Sequence, residues 1–564
     1  PGVLDPQGSL SRAQAGRVHR YLPLPIDKSV REYVRTAIPS GSASDVQFKV
    51  KGRLQDFPFE TAKQGEFRIA TQLTDVLYDF APTSILTPGS PPWPALTQAQ
   101  GELVVEHAVL QVKLSRAKLS GGVGLRVSKV DGAIHNLYGD ATVDVSADVH
   151  GSLAEALKVV NTSPLGDITD RVLARTTATG DADYRFRLGF PIAAIEKITV
   201  QGAVLLGGND LQIMPEIPHL GRARGVVGFS ETGFSITGGQ AHALGGDVRI
   251  ERGLNTAAGS VAATGKVANK PSTLRLQGTA TAEGLQQASE LGIAARLGPY
   301  ASGSAAYTVV VGLRGGVPEL QISSDLVGMA LRLPAPFAKP AEVALPLRLE
   351  TAVVRTTPVP DSTQQVASRD QLLLDVGGVL GMVYVRDLTG AQPRVLRGAI
   401  AVGLGADESA PIVDSGVVAN INADSLDLDA WNAVLSQASG TELSASSVSS
   451  PTADASTTYL PTTVALRARE LTVGDRRFNN VVVGAVRDGT LWRANLDASQ
   501  INGYMEYRQS SGAVPGRVYG RLARLVVAPS AAQDVENILD EQPSSIPALD
   551  IVVDDFELRG KKLG

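Results

Sequence analysis

Apolar and polar residues alternate along much of this chain with a period of two. In "ATVDVSADVH" (Ala141–His150), Ala141, Val143, Val145, Ala147 and Val149 share one face. Thr142, Asp144, Ser146, Asp148 and His150 share the other. "DYRFRLGF" sets Tyr184, Phe186, Leu188 and Phe190 against Arg185 and Arg187. "ITVQGAVLLGGNDLQI" runs through Ile198, Val200, Gly202, Val204 and Leu206, turns at Gly207–Asp210 and resumes at Leu211 and Ile213. One-sided alternation predicts strands with one dry and one wet face, and hence antiparallel sheets.

Helical spacing is sparse. "DKSVREYVRTAI" places Val30, Tyr33, Val34 and Ala37 on one helical face and predicts a short helix over 27–38. A helical insertion is expected over 152–176, broken at Ser163–Pro164, with further short helices over 284–298, 427–438 and 530–541. The Ser-rich, aperiodic stretch 436–457 reads as a mobile loop.

Two weak repeats run through the pattern. "GELVVEHAVLQVKLSRAKLSGG" from Gly101 and "GVVGFSETGFSITGGQAHALGG" from Gly225 both reach a Gly-Gly pair, with Ala117 and Ala241 in register. Each predicts a hairpin closed by a Gly-Gly turn. "VALRARELTVGDRRFN" (Val464–Asn479) aligns without a gap on "LDIVVDDFELRGKKLG" (Leu549–Gly564), including a slip of phase in mid-strand. The earlier copy continues into further strands. With Pro1 rather than Met at the start, this leads to the expectation that the chain is a piece of a longer polypeptide.

Composition sharpens the picture. Gly is abundant, at 58 residues, and aromatic residues are scarce, at 5%. The alternating faces are therefore small and aliphatic. With no Cys in the chain, disulfides, thiol catalysis and Cys-held metals are excluded. The net charge of −5 is spread without a basic tract, which argues against nucleic acid as a partner. No run of apolar residues is long enough to form a membrane-spanning helix.

Catalytic chemistry finds no foothold. The six histidines are scattered without ligand spacing. The Gly-x-Gly of "GGVGLRVSKVDG" (Gly121–Gly132) lacks the helix that a dinucleotide site requires. "DDFE" (Asp554–Glu557) reads as a solvated bulge, because neighbouring strand residues point to opposite faces. The chain is expected to be no enzyme and to carry no cofactor and no metal.

A sheet with one apolar face must hide it. One solution is a stack of β-sandwiches with dry cores, as in a structural or adhesive protein. The other is a long curled sheet whose apolar face lines a groove suited to hydrocarbon chains. Alternation alone leaves both open. Under the second reading, the lining candidates are Val143, Val145, Val149, Phe186, Leu188, Phe190, Ile198, Val200, Val204, Leu206, Met329, Leu331, Leu333, Leu466, Ile551 and Val553.

"RYLPLPIDKSVREYVRTAIPSGSASDVQFKVKGRLQDFPF" (Arg20–Phe59) resembles the central region of the large bacterial AsmA-like proteins of the YhdP type. "LDLDAWNAVL" (Leu426–Leu435) and "GRVYGRLARLVV" followed by "IPALDIVVDDFELRGKKLG" are similar to later segments of that family, so the resemblance spans nearly the whole chain. It implies a mainly β fold: one elongated, curled antiparallel sheet of repeating β-groove units over 1–564, with a continuous apolar groove and a few short helices. It further implies a periplasmic conduit for phospholipids between inner and outer membranes. The acyl chains would lie in the groove, and membrane components would be met by regions outside this chain, including an inner-membrane anchor. The family offers no catalytic motif to carry over.

Overall fold

The structure is a computed structural model. It describes all residues except 1, 23–27, 87–88, 169–170, 172, 216, 231–232, 254–272, 315–316, 355–368, 391–392, 406–410, 440–458, 510–515, 528–547, 559–560 and 563–564. The expected helix over 530–541 lies outside the described residues, as does the part of the Ser-rich loop beyond 439. The chain divides into two compact units. The first comprises Pro1–Ala243 and Asp247–Ser272, and the second Leu244–Gly246 and Thr273–Gly564.

In the first unit the strands are β1 (Val3–Leu4), β2 (Gln7–Gln14), β3 (Ser40–Arg53), β4 (Gly65–Tyr78), β5 (Leu96–Glu106), β6 (Val109–Leu119) and β7 (Arg126–His135). They continue as β8 (Thr142–Ser152), β9 (Thr177–Ala178), β10 (Asp181–Pro191), β11 (Thr199–Gln212), β12 (Leu220–Ser230), β13 (Gly233–Ala243) and β14 (Gly246–Gly253). From β2 to β8 each strand pairs antiparallel with its successor. β8 then pairs with β10, β10 with β11, β11 with β12 and β12 with β13. The helices are α1 (Lys28–Ala37), α2 (Leu153–Thr162) and α3 (Leu165–Ile168). α2 starts at a Ser-x-x-Glu box, where the Ser152 hydroxyl accepts from the Glu155 backbone N–H.

The second unit opens with β15 (Thr273–Thr281), β16 (Ala301–Arg314), β17 (Val317–Ser324), β18 (Met329–Leu331), β19 (Leu347–Val354), β20 (Arg369–Val376), β21 (Leu380–Asp387) and β22 (Arg394–Val402). It continues with β23 (Gly416–Asp427), β24 (Thr463–Val473), β25 (Arg476–Asp488), β26 (Leu491–Asp497), β27 (Ile501–Arg508), β28 (Arg517–Val527), β29 (Ala548–Leu558) and β30 (Lys561–Lys562). Apart from β18, which pairs back on β16, the order in the sheet follows the chain. The helices are α4 (Ala282–Gln287), α5 (Ile293–Arg296) and α6 (Leu428–Ser439).

Three features depart from the sequence expectation. The sheet is mixed rather than antiparallel throughout: β22–β23, β23–β24 and β28–β29 are parallel. Each parallel pair is joined by a connection of a dozen residues or more, the length a same-direction return requires, and one of these connections contains α6. The single helix expected over 284–298 is a series of short turns, interrupted at Gly292 with φ +58°. Residues 436–439 belong to the end of α6, not to a loop.

The glycines of the first repeat have a structural role. Gly101 in β5 and Gly225 in β12 sit at φ +158° and +132°, each beside an irregularity of register. A Cβ on Gly101 would lie 2.1 Å from the carbonyl oxygen of Lys113. Such bulges bend a strand and raise its twist. Gly121 and Gly245 at the turns share φ values of +78° and +79°, and Ala117 and Ala241 are both buried. The second repeat also has a common setting: β24 and β29 each lie parallel to the preceding strand and antiparallel to the next. Arg469 and Asp554, where the phase slips, make no ladder pair.

α6 is moored at both its start and its flank. Asp427 Oδ1 accepts from the Ala430 N–H as its cap. Asp429 accepts the backbone N–H groups of Gly474 and Asp475, both at 2.9 Å, in the β24–β25 turn. These two N–H donors hold the Asp429 carboxyl below its usual range. Stability from this contact is therefore present above the unfolded carboxylate pKa of about 3.9 and is lost as pH falls through the lower folded value.

Two outcomes are expected. Gly101→Ala should destabilise the first unit by about 2 kcal/mol or more, read from denaturant unfolding, through the strained φ and the clash together. On acidification, the protection factors of the α6 amides against hydrogen exchange, taken relative to the intrinsic rate at each pH, should fall in the parent chain. In Asp429→Ala they should already be low at pH 7 and show a weaker acid dependence.

Candidate functional site: an aliphatic sheet face

The strand registers assemble the alternating residues into rows. In the first unit one row is Phe48, Ile69, Val105, Leu110, Ile134, Val143 and Phe190. The next is Thr71, Leu103, Val112, Gly132, Val145, Leu188 and Val200. A third runs from Leu73 through Gly101, Leu114, Val130, Ala147, Phe186 and Gly202 to Phe229 and Phe234. The Phe229 ring occupies the space over Gly202, where a Cβ would meet it at 2.3 Å.

The second unit repeats the arrangement. Leu276, Val309, Ile322, Leu349, Leu374, Met382, Ile400, Ala419, Val464, Ala485, Ala494, Met505, Gly520 and Ile551 stand directly opposite one another in turn, strand after strand from β15 to β29. No polar side chain interrupts this row. A neighbouring row includes Val376, Leu380, Val402, Ile421, Leu466, Val483, Leu496, Leu522 and Val553.

The opposite face is polar in the same systematic way. Ser44, Gln72, Glu102, Lys113, Asp131, Ser146, Arg187, Gln201 and Ser230 form one row across nine strands. Polar pairs line it, such as the ion pair Lys129–Asp131 at 2.8 Å along β7 and the His150–Asp183 hydrogen bond at 2.8 Å between β8 and β10. These pairs are exposed and contribute little to stability. An open hollow of about 400 Å³ lies on this side, around Lys129, Asp131, Ser146, Asp148, Arg185 and Arg187. Lys129–Asp131 and Arg185–Asp148 pair charges within it, and Ala147, Phe186 and Ala203 also line it.

Among the candidates, Val143, Val145, Val149, Phe186, Leu188, Phe190, Val200, Val204 and Leu206 all lie on the one face of the first unit, and Ile198 directly precedes β11 in the same phase. Leu466, Ile551 and Val553 lie on the apolar face of the second unit. Met329, Leu331 and Leu333 fall elsewhere, in and after β18, within the connection between β17 and β19. Met329 is buried there, and its carbonyl accepts from Lys339 Nζ, which is also held by the carbonyls of Leu326 (2.8 Å) and Pro340 (3.1 Å).

Cover over the apolar face is uneven. In the first unit α2, through Ala156 and Val159, packs with Leu114, Ala117, Val127, Val130 and Val149 near one set of strand ends. Leu103, Val112, Val145 and Leu188, farther from the helices, remain half-buried. In the second unit Trp431 of α6 packs on the cluster of Leu426, Leu466, Ala468, Leu471 and Val481. Trp431 Nε1 donates to the Ala335 carbonyl at 3.1 Å, and its ring meets Phe337 edge-on at 5.5 Å. Gln437 of the same helix accepts from the Tyr300 hydroxyl.

One charged pair sits on the apolar face. Arg386 binds Asp370 through two hydrogen bonds of 3.0 and 2.5 Å, with side chains 15% and 8% exposed. Beside it Tyr384 is fully buried and donates to the Tyr459 carbonyl at 3.2 Å. The period of two from Leu372 back to Asp370, and from Tyr384 to Arg386, would have placed both charges there. Among the described residues no group of three or more metal-ligating side chains converges, and no helix is long and apolar enough to cross a membrane.

Comparison with known proteins gives this face a setting. The intermembrane phospholipid transporter YhdP of Escherichia coli (strain K12) is 24% identical over 339 residues, which cover 59% of this chain and 24% of that protein. The chain thus matches about a quarter of the length of this relative. No solved structure matches. The family model described as YhdP protein matches residues 1–564, and the chain belongs to that family.

Proposed function

We propose that this chain is a stretch of a phospholipid conduit, in which the aliphatic sheet face is the groove that receives acyl chains. The observation that carries the reading is the fourteen-strand apolar row of the second unit, together with its counterparts in the first. Most of these side chains are half-buried, neither exposed to water like a polar face nor sealed like a sandwich core. The relative's name, an intermembrane phospholipid transporter, supplies the cargo class.

Hydrocarbon tails ask little of such a surface. Each buried methylene contributes about 0.8 kcal/mol, so roughly ten in contact with the face amount to about 8 kcal/mol without a single directional bond. A surface of Val, Leu, Ile and Ala with few polar interruptions lets a tail exchange one contact for an equivalent neighbour, which favours movement along the rows. The role is that of a carrier rather than a catalyst. The site of action is the periplasm, with regions outside this chain meeting the inner and outer membranes.

The test combines capture with disruption. Photo-crosslinking residues at Val145 or Val200 should capture phospholipid, and capture from Arg187 on the polar face should be far weaker. Val112→Asp with Leu188→Asp should lower capture at Val145 about tenfold or more, because a carboxylate in the row cannot be desolvated by hydrocarbon. Circular dichroism should show the sheet retained. Equal capture from both faces would reject the groove.

A further inference from the structure

We infer that α6 is a hinged strap. It ties two separated parts of the second unit's sheet together across one rim of the apolar face, and hydrocarbon crosses that rim when the strap lets go. The tie stands on side-chain contacts alone, whereas the traffic across it rests on the conduit reading.

The hinge side is held firmly. α6 grows directly out of β23, Asp427 caps it, and the Asp429 carboxylate accepts two backbone N–H groups of the β24–β25 turn. Bonds to a charged acceptor are the stronger kind. Trp431 adds packing on Leu426, Leu466, Ala468, Leu471 and Val481, all of β23, β24 and β25. These partners are neighbours in the sheet, so they fix the helix to its own side.

The receiving side is a separate, stiff body. The 325–346 connection folds back on itself where Leu331 and Lys339 exchange two backbone hydrogen bonds, of 2.9 and 3.0 Å. The buried Lys339 Nζ donates to the carbonyls of Leu326, Met329 and Pro340, which uses all three of its donors. The Arg332 N–H donates to the Tyr300 carbonyl at 2.8 Å and so joins this arm to the turn before β16. The combined body offers α6 the Ala335 carbonyl, the Phe337 ring and the Tyr300 hydroxyl.

Four strands, β19 to β22, stand between the two sides. At this rim their apolar positions Leu347, Val376, Leu380 and Val402 face one another in turn, and the row continues to Ile421 of β23. All but Val376 are half-buried. A sheet that flexes open between β17 and β23 must therefore break the contacts of α6 with the arm. Those contacts are of a kind that breaks readily. The Trp431–Ala335 and Gln437–Tyr300 bonds join neutral groups at exposed positions, where water competes for both partners. α5 lies beside α6, yet Ile293 and Leu435 stay 67% and 43% exposed, so these large side chains do not seal the seam. A firm attachment on one side and a light one on the other make a hinge and a latch.

The chain has no Cys, so reporters can be placed at will. Spin labels at Glu342→Cys and Arg477→Cys, both exposed, report the distance between arm and hinge by double electron–electron resonance. The whole chain should give one narrow distance. Trp431→Ala with Gln437→Ala should broaden and lengthen it, and Gln437→Ala alone, at an exposed site that the fold does not need, should add a minor longer population. Unchanged distances in both would overturn the tie. For the traffic, uptake of phosphatidylglycerol with a fluorescent acyl chain is followed from vesicles. A Tyr300→Cys, Gln437→Cys chain joined by a short bis-maleimide should take it up several-fold more slowly than before joining, and the Trp431→Ala, Gln437→Ala chain should be faster than the parent. Equal uptake by joined and released chains, with capture at Val145 intact, would overturn the gate and leave the conduit standing. No uptake by any form and no capture at Val145 would overturn both.

Discussion

The removal of one aliphatic sheet face from water governs this structure. Each strand presents apolar residues on one side and polar ones on the other, and burial of a Val or Leu side chain is worth about 1.5–3 kcal/mol. A face of this kind cannot be left bare, yet α2 and α6 cover only part of it. The other features answer this condition. The polar face carries exposed charged side chains that keep it wetted, α6 is tied down by Asp429 and Trp431, and many side chains of the apolar face, such as Val112, Val145, Leu349 and Met382, remain half-buried.

Keeping the face continuous is a problem of register, since a slip of one residue would turn apolar side chains to the solvent side. The bulges solve it locally. At Gly101 and Gly225 an irregularity is absorbed where only glycine fits the backbone, and the rows resume on both sides. The parallel pairs preserve the rows too: Ile400 faces Ala419 and Ala419 faces Val464 across two successive parallel ladders. Strand direction changes there, but the face does not. Arg469 and Asp554 mark the shared slip in the two repeated strands, and each is followed by a return to apolar phase at Leu471 and Phe556.

Much of this was legible from the sequence because a period of two is a direct readout of face. Val143, Val145 and Val149 could be grouped from "ATVDVSADVH" alone, and the pairing with Phe190, Leu188 and Tyr184 follows once strands are neighbours. The direction of β23, β24 and β29 was not legible, since it depends on long connections whose path no local pattern encodes. Met329, Leu331 and Leu333 alternate like a strand of the face but belong to a connection organised around Lys339, a long-range contact. The series 284–298 has helical spacing, and Gly292 breaks it through its backbone conformation. The fastening of Trp431 to Ala335 spans 96 residues of chain, beyond the reach of any periodicity.

The central claim is that the aliphatic face holds hydrocarbon, and its most direct measurement is the lipid content of the chain itself. Purified from a Gram-negative envelope in mild detergent and extracted with organic solvent, the chain should release phospholipid in at least stoichiometric amount by mass spectrometry. A folded chain that yields no phospholipid would contradict the account.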